Sequence, residues 1–201
     1  MSEKTLTLAN HECRAIINPG SGVPVVFLHG YSYTSEAWQR TSVITMLREK
    51  HLPFMALDMP YGAHSLCHPY SRSVEANVNV IKDALRTVFA SSSPILVGAS
   101  VGSHMALQFA ARYPVKGLLL VGAVRIFEEK LVKAYSRFTF PVCLIIGSED
   151  NIASAEDLRT LAGKLPDGKL KVYDGVGHSA YLGDPEKFKH DLLELYAQAE
   201  L

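Results

Sequence analysis

The run Gly98-Ala-Ser100-Val-Gly102 sets a serine between two glycines. An apolar stretch, Ile95–Val97, ends just before it, and a helical pattern with Met105, Leu107 and Phe109 begins just after. A serine on a sharp strand-to-helix turn stands clear of the sheet, and small neighbours leave room for the crowded backbone. The helix behind it aims its positive dipole end and free N–H groups at whatever reacts there. A Gly-rich turn carrying an ordinary serine is the bland alternative, but the strand–turn–helix setting favours a nucleophile.

Serine at its own pKa is a weak nucleophile and needs a neighbouring base. Among eight histidines, His178 lies in Asp174-Gly-Val-Gly-His178-Ser, a loop able to turn back over the edge of a sheet. In open α/β sheets reacting groups gather beyond the carboxyl ends of the strands. His29 and His104 also fall near that edge, but His29 closes a strand before Gly30 and His104 sits inside a helical pattern. The order Ser…acid…His favours His178. An acid that orients the imidazole is expected after the strand Val142–Ile146, where Gly147-Ser-Glu-Asp150 offers both Glu149 and Asp150. On chemistry alone the two stay open; Asp174 is too close to the histidine strand. Donors for a developing oxyanion are expected from the backbone N–H of Tyr31, after the strand ending at His29-Gly30, and of Val101, after the serine.

These groups need a scaffold that delivers them to one edge. Short apolar runs alternate with amphipathic stretches, as in a mainly parallel sheet covered by helices. Leu6–Leu8 and Arg14–Ile17 read as a weak hairpin. Val23–Leu28, Phe54–Leu57, Ile95–Val97, Gly117–Val121, Val142–Ile146 and Leu170–Val172 read as strands buried on both faces. Val74, Val78, Ile81, Leu85 and Val88 form one helical stripe, with Ser73 as its N-cap. Further helices are expected over 35–50, 101–113, 154–165 and 185–198, the last with Pro185 in its first turn. No repeat or linker divides the chain, and the expectation is one domain over residues 1–201.

Twenty basic residues balance twenty acidic ones, so no overall field draws the chain to nucleic acid or an anionic membrane. No apolar run approaches the ~18 residues that cross a bilayer. The first residues lack the basic-then-apolar pattern of a secretory signal. Cys13, Cys67 and Cys143 are odd in number and lack metal-like spacing, so reduced thiols and a cytoplasmic location are expected. His64, Cys67 and His68 lie close in one loop, but a solvent-exposed cluster is the better reading than a zinc site. Neither a metal nor a cofactor is expected.

Five landmarks in register resemble the α/β-hydrolase superfamily: Leu28-His29-Gly30-Tyr31 with Trp38, Leu57-Asp58-Met-Pro60 leading to His64-Ser65, Gly98-Ala-Ser100-Val-Gly102, Gly147-Ser-Glu-Asp150, and Gly177-His178 with Pro185. The resemblance implies an eight-stranded, mostly parallel sheet with only the second strand antiparallel, and its glycine-x-x-aspartate pattern points to Asp150 over Glu149. Tyr61 and Ala63 stand where the family often has glycine. Larger members insert a helical cap where this chain has only the eighteen residues Val124 to Pro141, enough for one short helix around Ile126–Tyr135, so a small, capless member is expected. The implied function is a serine hydrolase of small or short-acyl carboxylic esters, with Ser100, Asp150 and His178 as its triad. Thioester, amide or perhydrolase chemistry on the same residues is an alternative, as is a receptor or scaffold with little turnover, since fold does not fix function.

Overall fold

The computed structural model describes every residue except Met1, Ser91 and Leu201. Among the described residues nine strands form one sheet: β1 (Ser2–Leu8), β2 (His11–Asn18), β3 (Val25–Leu28), β4 (Phe54–Leu57), β5 (Cys67–His68), β6 (Ile95–Ala99), β7 (Gly117–Val121), β8 (Val142–Gly147) and β9 (Gly168–Tyr173). Eight of them lie on the path β1-β2-β4-β3-β6-β7-β8-β9, and β5 pairs off that path with β2. Of the eight, β2 alone is antiparallel, to β1 on one side and β4 on the other. From β4 onward every pairing is parallel. The strand order reverses between β3 and β6, so a crevice opens there beyond the carboxyl ends of the strands. This is the α/β-hydrolase fold, and the described residues include no large cap.

Helices α1 (Ala37–Arg40), α2 (Val43–Glu49), α3 (Val74–Phe89), α4 (Val101–Ala110), α5 (Glu129–Ala134), α6 (Ala155–Lys164), α7 (Ala180–Gly183) and α8 (Pro185–Ala199) cover the sheet. Alternate residues of the central strands feed two cores. Val26, Leu28, Leu96 and Leu120 face one side, with Val78, Ile81 and Leu85 of α3. Val25, Phe27, Val97 and Leu119 face the other, with Trp38, Tyr181, Phe188 and Leu192. Capping sets several boundaries: Ser73 Oγ accepts from Ala76 N–H, Ser154 Oγ from Asp157 N–H and Asp184 Oδ1 from Lys187 N–H. Among the described residues no helix is long and apolar enough to cross a membrane.

Four expectations need correction. The helix expected over 35–50 is two, α1 and α2, parted where Ser42 adopts φ +58°. Thr41 Oγ1 donates to Trp38 carbonyl and accepts from Val43 N–H, giving the backbone an alternative to the helical ladder. β9 is an edge strand with Val172 exposed, not a strand buried on both faces: it ends the sheet, and among the described residues it pairs only with β8. The short helix expected over 126–135 is α5 followed by a 3₁₀ turn, Tyr135–Arg137. Finally, Cys13 and Cys67 face each other in the β2–β5 register and are joined as a disulfide, leaving only Cys143 as a free, buried thiol. The expectation of three reduced cysteines fails because a two-residue strand, invisible as a pattern, brings the pair together.

Candidate active site

Ser100 sits between β6 and α4 with φ +52° and ψ −114°, a conformation that non-glycine residues rarely adopt. Such a backbone costs of order 1–3 kcal/mol and persists only where its surroundings hold it. Here Ser100 N–H donates to Val121 carbonyl at 2.8 Å, and His104 N–H donates to Ser100 carbonyl at 3.2 Å. Behind the turn, Ser103 Oγ donates to Gly98 carbonyl at 2.7 Å. Gly102 is required by contact, since a Cβ there would lie 2.2 Å from the Leu28 carbonyl oxygen.

Ser100, His178, Gly30 and Tyr31 share one cavity of about 240 Å³ beyond the strand ends. His178 lies in the loop after β9, and its Nδ1 is 2.8 Å from Asp150 Oδ2 and 3.0 Å from Oδ1. A carboxylate only accepts, so Nδ1 carries the hydrogen and Nε2 is left as an acceptor. Nε2 is buried and has no partner among the described residues. The Ser100 hydroxyl and this nitrogen are brought to the same cavity but are not hydrogen-bonded to each other. Asp150 is itself fixed: its side chain is buried, and Oδ1 accepts from Ile152 N–H at 2.8 Å and Ala153 N–H at 2.9 Å. Glu149 is exposed and contributes only its N–H, to the Val176 carbonyl. The β8 loop thus presents Asp150, not Glu149, to the imidazole. Asp174 points away, accepting from Ser148 Oγ.

The remaining sequence candidates are occupied elsewhere. His29 is fully buried, accepts Met59 N–H at Nε2 (2.9 Å) and pairs Nδ1 with Gly30 carbonyl (2.8 Å). Burial lowers its pKa, so it stays neutral and bridges β3 to the loop after β4. His104 is buried on α4 with Nε2 3.1 Å from Glu128 Oε2, and burial lowers its pKa too. Asp58 is buried away from the cavity, accepting from Ser35 N–H (2.7 Å), Leu66 N–H (2.8 Å) and Arg14 Nε (3.2 Å). Burial alone would raise its pKa, but these hydrogen bonds outweigh it and the net shift is downward. Tyr61, the bulky departure from the family pattern, is buried and donates to His29 carbonyl. Cys67 is tied to Cys13 and is not available as a ligand beside His64 and His68.

Several residues at the cavity carried no signal in the sequence. Ser32, Tyr33, Ile152, Ser179 and Tyr181 line it, and Ser179 Oγ donates to Tyr33 hydroxyl at 3.1 Å. Gly122, at φ +53°, lies directly under the imidazole: a Cβ there would be 2.8 Å from both Nδ1 and Cε1 of His178. Only Ser179 could have been suspected, from its place after His178. The others converge from distant segments. Tyr31 lines the cavity with Ser100 and Val101 follows the serine in sequence; neither backbone N–H donates to a protein acceptor among the described residues. Beside the cavity, sharing Ile152 with it, is a groove of about 450 Å³ between residues 123–128 and the start of α6.

Comparison with known proteins agrees with this architecture. The chain is 24% identical over 177 residues to Protein ABHD14A of Danio rerio, a match covering 88% of this chain and 65% of that protein. It thus spans less than two thirds of that relative's length. It is 26% identical over 187 residues to the human "Putative protein-lysine deacylase ABHD14B", covering 88% of this chain and 85% of that one. Its fold superposes on a "predicted CIB-like hydrolase" from Thermoplasma acidophilum with a TM-score of 0.85 at 20% identity, covering 100% and 98% of the two chains. The family model described as "Alpha/beta hydrolase family" matches residues 25–142, from β3 through the serine turn into β8. With more than half of its length matched and the sheet topology in agreement, the chain belongs to the α/β-hydrolase family.

Proposed function

We propose that this chain is a serine hydrolase that cleaves small carboxylic esters through an acyl group carried on Ser100. The observation that carries the reading is the cavity shared by Ser100, on its positive-φ turn, and His178, whose other ring nitrogen is held by the buried Asp150. Ser100 Oγ attacks the ester carbonyl carbon and passes its proton to His178 Nε2. The oxyanion is received by the N–H groups of Tyr31 and Val101, each such donor typically worth about 3–4 kcal/mol in the transition state. Collapse expels the alcohol, which takes the proton from His178. Water then repeats the sequence against the acyl group: His178 accepts its proton, the carboxylic acid leaves, and the proton returns to Ser100. Asp150 holds the imidazole in the Nδ1–H tautomer throughout and stabilises the imidazolium. Apo sites often tighten the serine–histidine contact only when substrate arrives.

A cavity of about 240 Å³ walled by Tyr33, Ile152 and Tyr181 suits a short acyl chain, and the adjoining groove leaves space for the leaving group. A second reading has one observation behind it: the human relative is named for lysine deacylation, and the same residues would cleave a short acyl amide. A panel of acetyl, butyryl and decanoyl nitrophenyl esters, with an acetyl-lysine peptide beside it, decides between them. Turnover of the short esters at least about tenfold above the decanoyl ester, cut 10³-fold or more in Ser100→Ala, is the expected result. Turnover of the peptide alone would favour deacylation, and none at all a receptor.

A further inference from the structure

Tyr31 has two faces of interest. It lines the Ser100 cavity and supplies one of the proposed oxyanion N–H groups, yet its side chain is 41% exposed and reaches outward. There it meets Arg72. The guanidinium carbon lies 6.0 Å from the Tyr31 ring centre and 5.7 Å from that of Tyr70. Nε donates to Tyr70 hydroxyl at 2.5 Å and Nη2 approaches Tyr31 hydroxyl at 3.4 Å. The guanidinium therefore lies beyond the hydroxyl ends of both rings, an exposed planar cation set by two phenol oxygens on the outer side of Tyr31. Among the described residues no carboxylate lies within 4 Å of Arg72, so its side-chain partners are the two phenol hydroxyls.

An arginine hydrogen-bonded to two phenol hydroxyls has lost part of the side-chain freedom that usually weakens surface ion pairs. Its Nη1 donors remain unused by the protein. A guanidinium fixed in this way, with open donors and no counter-ion, matches the fork geometry of an oxyacid anion. The position is also linked to the chemistry by backbone: Ala63 N–H donates to Tyr31 carbonyl at 2.8 Å, tying the segment before Arg72 to the turn that carries the oxyanion donor.

We infer that Arg72, braced by Tyr31 and Tyr70, is a specificity-determining residue that selects esters bearing an anionic oxyacid group, a carboxylate or a phosphate, away from the scissile carbonyl. The inference rests on Ser100 being the nucleophile of the cavity beside it. Anchoring the anion at the rim would orient the ester over Ser100 and lower KM chiefly, since the contact exists before and during the reaction.

Three matched pairs of esters test it, each pair differing only in the anion: a carboxylate on the acyl part against its amide, a carboxylate on the alcohol part against its amide, and a phosphate on the alcohol part against a neutral alcohol of like size. The quantity read is the ratio of kcat/KM within a pair. In at least one pair the wild type is expected to favour the anionic member by about fivefold or more, through KM, and which pair does so identifies the source of the anion. In Arg72→Gln that ratio should fall to within twofold of one, while Arg72→Lys, which keeps the charge without the planar fork, should keep part of it. Raising the salt concentration should erode the preference in the wild type. No preference in any pair, a preference that survives in Arg72→Gln, or an equal loss on both members of every pair would overturn the inference. Absence of turnover on the neutral esters by the wild type would instead count against Ser100 as an esterase nucleophile, so the two failures are distinct.

Discussion

At the scale of single residues the site is a set of constraints on one imidazole. Asp150 fixes its hydrogen and Gly122 fixes its plane, and each makes a separate expectation. Asp150→Asn retains the shape but presents an amide that can donate to Nδ1, inverting the tautomer; loss in kcat of about 10⁴ is expected. Glu149→Gln, one residue away but turned to solvent, should cost less than about tenfold. Steady-state kinetics on a short-chain ester checks both, and the reverse ranking would reassign the acid. Gly122→Ala places a methyl group where His178 now rests, at a positive φ that disfavours any side chain. Displacing the ring by about an ångström is expected to cost roughly 10²-fold in kcat. A variant with kcat within twofold of the wild type would show that Gly122 does not set the position of the base.

Elements explain why some of this was legible in the sequence and some was not. Ser100, Asp150 and His178 each follow a strand, and a strand followed by a glycine-marked turn is a local pattern that a sequence displays. The parallel strands were visible for the same reason, as unbroken apolar runs between amphipathic helices. What stayed hidden depends on tertiary contact: β5 exists only because Cys67 and His68 find β2, while Tyr33 and Tyr181 reach the cavity, and Gly122 the His178 ring, from three separate segments. The break between α1 and α2 is local but runs against a continuous amphipathic pattern, through the Thr41 hydroxyl. Asp58 shows how such contacts bear on stability. It gathers Arg14 of β2, Ser35 before α1 and Leu66 before β5. Its folded pKa is lowered, so its contribution is present above the usual carboxylate range and is lost as pH falls through the lowered value. Asp58→Asn should therefore lower Tm by roughly 4–8 °C near neutral pH, about 2 kcal/mol of stability, with the gap to wild type narrowing in acid. Thermal unfolding of both proteins from pH 7 down to about 3 reads this directly; a gap that widens in acid would mean the carboxylate is not stabilised as its partners suggest.

For the molecule as a whole, one sheet brings three chain segments far apart in sequence to one end, beside a small cavity. β6 brings the serine, β8 the carboxylate and the loop after β9 the imidazole, while the chain omits the cap that would roof them. The chamber is small and its neighbouring groove is larger and open, which fits a modest acyl group and a less restricted leaving group. The whole arrangement has purpose as a hydrolase only if the acyl group passes through Ser100. Acid quenching of the wild type during turnover of a butyryl nitrophenyl ester, followed by mass mapping, measures that passage. The peptide from Thr87 to Arg112 carries Ser100 among several other serines, so fragmentation must locate the added group. The expected result is a butyryl group on Ser100, absent from Ser100→Ala. A butyryl group on another residue, or undiminished turnover with none on Ser100, would contradict the mechanism.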